Sequence, residues 1–237
     1  MTYRLVVTPQ QIQKAQTINL DREQLHYLLR VLRLQNGDRF IAMDGEGNSW
    51  LAQIIDRSAE ILEAIEVGTE LPVSITLITA LPKGSGYEEI IRCCTELGVS
   101  NFIPVISDRT ILKPSPHKVK RWRKIATEAA EQSERQVVPH VWEPVKFTSA
   151  IEETKAIRDK YICVARGDLP TFWNCLSNLT APEIIIATGC EGGWTKLEVD
   201  TAIALGFQAV SLGKPILRAV TAPIVVSSLA MAKLAES

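Results

Sequence analysis

The sequence has no CxxC pair, no dinucleotide or phosphate-loop glycine fingerprint, no long apolar run and almost no net charge. Each absence removes a class of function. Five cysteines, Cys93, Cys94, Cys163, Cys175 and Cys190, are odd in number, and the adjacent Cys93-Cys94 pair suits no disulfide framework. No zinc-ligand spacing joins them to His26, His117 or His140, so no metal is expected. They read as reduced thiols packed as small apolar residues in a cytosolic protein. GxGxxG and GxxxxGK[ST] are both missing, and Lys83-Gly84-Ser85-Gly86 has the wrong spacing for a phosphate cradle. No apolar stretch approaches a membrane span, and Met1-Thr2-Tyr3-Arg4 is not a basic start leading into an apolar core. A soluble, cytoplasmic protein is therefore expected, with no membrane contact. A formal net charge of -1 does not mark a nucleic-acid binder, and no internal repeat or low-complexity tract stands out.

What is present divides at Gly68-Thr69-Glu70-Leu71-Pro72, which reads as a linker between residues 1–70 and 71–237 of the 237-residue chain. The first part is β-rich. Residues 3–8, 39–43, 49–55 and 60–67 are expected strands, and Asp44-Gly45-Glu46-Gly47-Asn48 is a strong hairpin signal. Asp21 with Gln24 predicts a capping box opening a helix that carries Leu25, Leu28, Leu29 and Leu32 on one face. Beyond the linker, strands alternate with helices, the signature of a mostly parallel sheet. Strands are expected over 73–80, 101–106, 161–165, 183–187 and 207–212, and helices over 87–97, 116–132, 196–205 and 217–234. Pro223 either kinks the last helix or marks its true first turn.

Two features carry chemistry. Thr188-Gly189-Cys190-Glu191-Gly192-Gly193 and Ser211-Leu212-Gly213, the latter running into Ile216-Leu217-Arg218, each follow a short apolar strand and precede a helix. Glycine at such junctions lets backbone approach a ligand, and neighbouring loops of this kind form cofactor clefts in α/β folds. The alternative is that the glycines serve only the turns. Cys190 is more simply a packed small residue than a nucleophile. The second feature is cationic: Arg109, Lys113, Lys118, Lys120, Arg121, Arg123 and Lys124 occur with no acid among them. Ser115-Pro116 starts a helix there, with Val119, Trp122, Ile125, Ala126 and Ala129 as its buried stripe. The exposed face suits RNA phosphates; a merely solvated basic face is the alternative. Glu128, Glu131 and Arg135 sit at helical spacing and can pair on a surface, while Gln132 and Arg135 could face a bound base.

The ordered set Lys83-Gly84, Thr95-Glu96-Leu97-Gly98-Val99, the run from Arg121 to Gln132, Gly189-Cys190-Glu191-Gly192-Gly193, Leu212-Gly213 and Ile216-Leu217-Arg218 resembles the ribosomal RNA small subunit methyltransferase E family. His26-Tyr27-Leu28-Leu29-Arg30-Val31-Leu32-Arg33 with Gly37-Asp38 is similar to that family's first domain, so the resemblance covers nearly the whole chain. Two places depart from the usual pattern. Cys190 stands in a proline position, and Lys214-Pro215 and Ala219-Val220 replace Pro-Arg and Thr-Glu.

The resemblance implies an α/β protein: a PUA-like RNA-binding β-barrel followed by a SPOUT domain with a carboxyl-terminal trefoil knot. It implies a homodimer that transfers a methyl group from S-adenosylmethionine to N3 of a uridine in 16S ribosomal RNA. The cofactor would be held by Thr188, Gly189, Gly192, Gly193, Leu212, Gly213, Ile216 and Leu217, with Ala165 in a third loop. Because N3 must lose a proton, the chemistry asks for cations and a proton acceptor. Arg218 is the preferred anion stabiliser, Arg135 the second, and Glu191 the candidate acid or base. Arg4, Arg30 and Arg33, with Lys118, Lys120, Arg121, Arg123 and Lys124, are the candidate RNA contacts. Two other readings remain: a non-catalytic RNA-binding or ribosome-assembly protein on this fold, and a knotted methyltransferase with another RNA target.

Overall fold

A computed structural model describes residues 3–13, 16–178 and 182–235. Contacts divide them into two units. The first comprises the residues up to Glu70 together with Ala130–Val138, and the second comprises Leu71–Ala129 and the residues from Pro139 onward.

The first unit holds β1 (Arg4–Val6), β2 (Thr17–Asn19), α1 (Arg22–His26), β3 (Arg39–Met43), β4 (Ser49–Ile55) and β5 (Ser58–Ile65), in the sheet order β1-β3-β4-β5-β2. β1 pairs parallel with β3 and the other pairings are antiparallel. The capping box forms as the sequence predicts: Gln24 N donates to Asp21 Oδ1 at 2.8 Å, and Asp21 N to Gln24 Oε1 at 2.9 Å. Leu28 is fully buried, and Leu25, Leu29 and Leu32 pack against the same core around Phe40, Ala52 and Ile54. The expected hairpin joins β3 to β4. Asp44 caps its turn, accepting from Glu46 N, Asn48 N and Asn48 Nδ2 at 2.8, 3.0 and 2.6 Å. Gly45 adopts φ +75, and a Cβ there would meet Val138 Cγ2 at 2.9 Å, so only glycine lets the 130–138 segment lie on the turn.

The second unit is a parallel sheet in the order β12-β10-β11-β6-β7-β8, with β9 also paired to β7. Its elements are β6 (Ser74–Ala80), α2 (Gly86–Glu96), β7 (Asn101–Ile106), α3 (Pro116–Gln132), β8 (His140–Val141), β9 (Val145–Lys146), α4 (Phe147–Glu153), β10 (Asp159–Cys163), α5 (Phe172–Cys175), β11 (Glu183–Thr188), α6 (Lys196–Ala204), β12 (Gln208–Val210) and α7 (Thr221–Leu234). Both sheet faces are covered, which explains the unbroken apolar run of β11. Ile184 and Ile186 face a core shared with Tyr87, Ile90, Trp122 and Val226, while Ile185 and Ala187 face one shared with Phe147, Trp194 and Ala202. The last helix begins at Thr221 rather than at residue 217, and Pro223 falls in its first turn, where a missing N–H costs nothing. Among the described residues no helix is long and apolar enough to cross a membrane, and no cluster of potential metal ligands occurs.

Candidate functional site

The loops that follow β10, β11 and β12 meet at the carboxyl edge of the sheet and enclose a cleft of about 970 Å³. Open α/β sheets bind ligands at this edge. A short bridge ties two of the loops together: Ser211 N donates to Pro170 O, and Phe172 N to Ser211 O, both at 2.9 Å.

The loop after β11 is a tight turn closed by Gly193 N donating to Cys190 O at 2.8 Å. Gly193 sits at φ +66, and a Cβ on Gly189 would come within 3.2 Å of Gly193 Cα. Arg109, from the loop after β7, fastens this turn by donating from Nη1 to Gly192 O at 2.6 Å and Trp194 O at 3.2 Å. Its aliphatic stem fills the space where a Gly192 side chain would stand. Behind the turn Trp194 stacks on Phe147, ring centroids 4.3 Å apart. Cys190 is buried, with Sγ 3.8 Å from Ser107 Oγ, consistent with a packed small residue.

Of the nine residues expected to hold a cofactor, Ala165, Gly189, Gly192, Gly193, Leu212, Gly213, Ile216 and Leu217 line the cleft. Thr188 does not. It ends β11 fully buried, its hydroxyl bonded to Thr79 Oγ1 at 3.2 Å. Arg218 and Glu191 line the cleft; Arg218 has no ion pair among the described residues, and Glu191 Oε1 accepts from Lys83 N at 3.0 Å. Arg135 is not part of the cleft lining. It is buried in the first unit and paired with Glu70 at 2.7 Å.

The candidate RNA contacts fall into two groups. Arg4 is largely buried against Glu134 at 2.8 Å, Arg121 pairs with Glu88 at 2.8 Å, and Arg123 with Glu143 at 2.9 Å. Lys118 donates to Gly84 O at 3.1 Å. Arg30, Arg33, Lys120 and Lys124 are exposed. The basic helix is thus partly neutralised by acids from distant sequence positions.

Sequence reasoning missed Glu89, Trp194 and Thr221 in the cleft lining, placed Arg166 only within the third loop, around residues 165–169, and read Arg109 only as part of the basic run. Three arginines (Arg109, Arg166, Arg218) and two carboxylates (Glu89, Glu191) are its charged groups.

A parallel sheet with glycine-walled loops at its carboxyl edge defines an α/β protein built to hold a small molecule against backbone. Residues 69–231 match the family described as RNA methyltransferase domain, and residues 20–67 match the RNA methyltransferase PUA domain. The chain is 54% identical to the ribosomal RNA small subunit methyltransferase E of a Synechocystis strain, covering 95% of this chain and 76% of that protein. It is 32% identical to the Bacillus subtilis protein of that name, covering 94% and 92%. A crystal structure of ribosomal RNA small subunit methyltransferase E from Neisseria gonorrhoeae, bound to S-adenosyl methionine, superposes with a TM-score of 0.86 at 31% identity, covering 96% of each chain. The chain belongs to the ribosomal RNA small subunit methyltransferase E family.

Proposed function

We propose that the protein is an S-adenosylmethionine-dependent methyltransferase acting on N3 of a uridine in the 16S RNA of the small ribosomal subunit, as a cytoplasmic homodimer. The observation that carries the reading is the cleft itself, whose lining brings together Gly189, Gly192, Gly193 and Gly213 from two loops with Arg166 and Arg218. Its residues fit the cofactor. Leu212, Ile216, Leu217 and Trp194 offer an apolar wall for an adenine ring, and the amides and carbonyls of the glycine loops can satisfy its polar edges. When bound, the cofactor supplies an electrophilic methyl group on a sulfonium.

The protein's part is to hold the base in line and to stabilise the charge that appears when N3 loses its proton. That charge spreads to O2 and O4. Arg218 suits the task because a guanidinium stays charged and donates two bonds to a planar edge. Arg135 is committed to Glu70, so we assign the role to Arg218 alone. Target selection requires an unstacked base, which favours loops or single-stranded RNA. Exposed Arg30 and Arg33 of the first unit, and exposed Lys120 and Lys124 of the second, supply the phosphate contacts. In domain terms, residues 1–70 serve RNA binding and 71–237 the chemistry, with 130–138 built into the former.

A knotted chain belongs to the same reading. β12 follows β11 in sequence but lies beyond β10 at the sheet edge, while α7 packs back on α2, β11 and β6. The test is calorimetric titration with S-adenosylmethionine, followed by methyl transfer to small subunits lacking the modification. Binding with transfer supports the reading. RNA binding without cofactor affinity supports the non-catalytic alternative.

A further inference from the structure

Methylation at N3 needs somewhere for the N3 proton to go, and few groups in the cleft can take it. Among the described lining residues there is no histidine or lysine; the titratable candidates are Glu89, Glu191, Cys163 and Cys190. Burial pushes the Cys163 thiol up to about 12, so as a thiol at neutral pH it is no acceptor. Cys190 is buried under the glycine turn beside Ser107. Glu191 has one oxygen engaged by Lys83 N at 3.0 Å, which ties it to the loop after β6.

Glu89 differs from all of these. It is exposed in the cleft wall, and among the described residues no hydrogen bond or ion pair holds its carboxylate. Its neighbour in the first turn of α2, Glu88, is taken by Arg121 at 2.8 Å. An acid in a first helical turn also favours the helix dipole, and that alone would account for either residue. Position separates them. Gly86, one turn before Glu89 on the same helix face, packs so closely on Val220 that a Cβ would lie 2.7 Å from Val220 Cγ2. The face bearing Glu89 therefore lies against the segment that carries Arg218. Val220 is an apolar contact on Gly86, and Glu89, further along the same helix, brings a carboxylate to the cleft lining.

We propose that Glu89 is the proton acceptor for uridine N3 and, with Arg218, reads the base. The inference rests on the N3-methyltransferase reading above. The uridine edge presents acceptor, donor, acceptor at O4, N3–H and O2. A guanidinium and a carboxylate match it as donor and acceptor. Cytidine presents a lone pair at N3, which would face the carboxylate unpaired, so the same group discriminates between the pyrimidines. In the step, a Glu89 oxygen takes the N3 proton as the N3 electron pair forms the bond to the methyl carbon. The carbon–sulfur pair stays on sulfur, leaving a neutral thioether and a protonated Glu89 that returns its proton to solvent.

The test is Glu89→Gln, with Glu89→Asp as the conservative partner, in the full-length protein. At pH 7 the glutamine variant should lose at least about a hundredfold in kcat, while its Kd for S-adenosylmethionine, measured by calorimetry without RNA, stays within about twofold of wild type. Its rate should become first order in hydroxide across the neutral range, where the wild-type rate is flat. Glu89→Asp should restore the flat profile and part of the rate. A flat profile or wild-type kcat in Glu89→Gln overturns the proposal. So does a loss of cofactor affinity of about tenfold or more, which would make Glu89 a cofactor-binding group instead. A wild-type product other than N3-methyluridine overturns the underlying reading as well, and that is scored on wild type alone.

Discussion

Arg135 and Glu70 are locked together in the first unit by more than a single ion pair. Arg135 Nη2 lies 2.7 Å from Glu70 Oε2, and Nε lies 3.3 and 3.2 Å from the two carboxylate oxygens. Glu70 Oε1 also accepts from the backbone amides of Gln136 and Val137 at 3.0 and 3.2 Å. One carboxylate thus gathers donors from three successive residues. Removing it takes this carboxylate away from a buried guanidinium and from two backbone amides. Glu70→Ala should destabilise the protein by about 3 kcal/mol, and adding Arg135→Ala should cost far less than the sum of the singles. Urea denaturation of the four-member cycle checks this.

The hairpin turn should make stability pH-dependent. Burial opposes ionisation of Asp44, but bonds from the Asn48 side chain and the amides of Glu46 and Asn48 outweigh it and hold the carboxyl below its ordinary 3.8. A carboxyl lowered on folding contributes stability that is present above the ordinary value and lost as pH falls through the folded one. Wild type should exceed Asp44→Ala by about 1 kcal/mol at neutral pH. The difference should shrink below pH 3.8 and vanish once the folded-state carboxyl is protonated.

The fold was more legible in the sequence than the site. β3, β4, β7 and α3 have the expected bounds because their apolar spacing and caps agree with their tertiary burial. β2 and β8, of three and two residues, are too short for any alternation to register. The start of α7 was misplaced because Ile216-Leu217-Arg218 has helical composition yet is spent lining the cleft. Thr188 sits one residue before the glycine turn, but the strand's alternation points it at Thr79. Glu88 and Glu89 are indistinguishable in sequence; only the placement of α3 and α7 gives one a partner and leaves the other in the cleft. Likewise the acids that neutralise Arg121 and Arg123 are 33 and 20 residues away.

The glycine turn should be sensitive to both its backbone and its clamp. Gly193 at φ +66 has open space beyond its Cα, so Gly193→Ala meets no clash and costs about 1–2 kcal/mol through left-handed strain alone. Arg109→Ala releases the carbonyls of Gly192 and Trp194. It should weaken S-adenosylmethionine binding by about tenfold, equivalent to about 1.4 kcal/mol. Calorimetric Kd values and melting curves on both variants separate lost affinity from lost stability.

Arg218→Ala should lower kcat by about 100- to 1,000-fold, the usual cost of deleting one donor to a developing anion. Cofactor Kd should change little, since the lining offers backbone and apolar contacts elsewhere. Single-turnover methyl transfer alongside calorimetry distinguishes the two effects, and wild-type turnover in the variant removes Arg218 from the chemistry.

The most direct test of the proposed activity is to incubate the protein with methyl-labelled S-adenosylmethionine and small ribosomal subunits lacking the modification, then digest the RNA and identify the labelled nucleoside. Label confined to N3-methyluridine from 16S RNA is the predicted result. Label in a ribose 2′-O-methyl nucleoside or another base, or no label despite RNA binding, contradicts it.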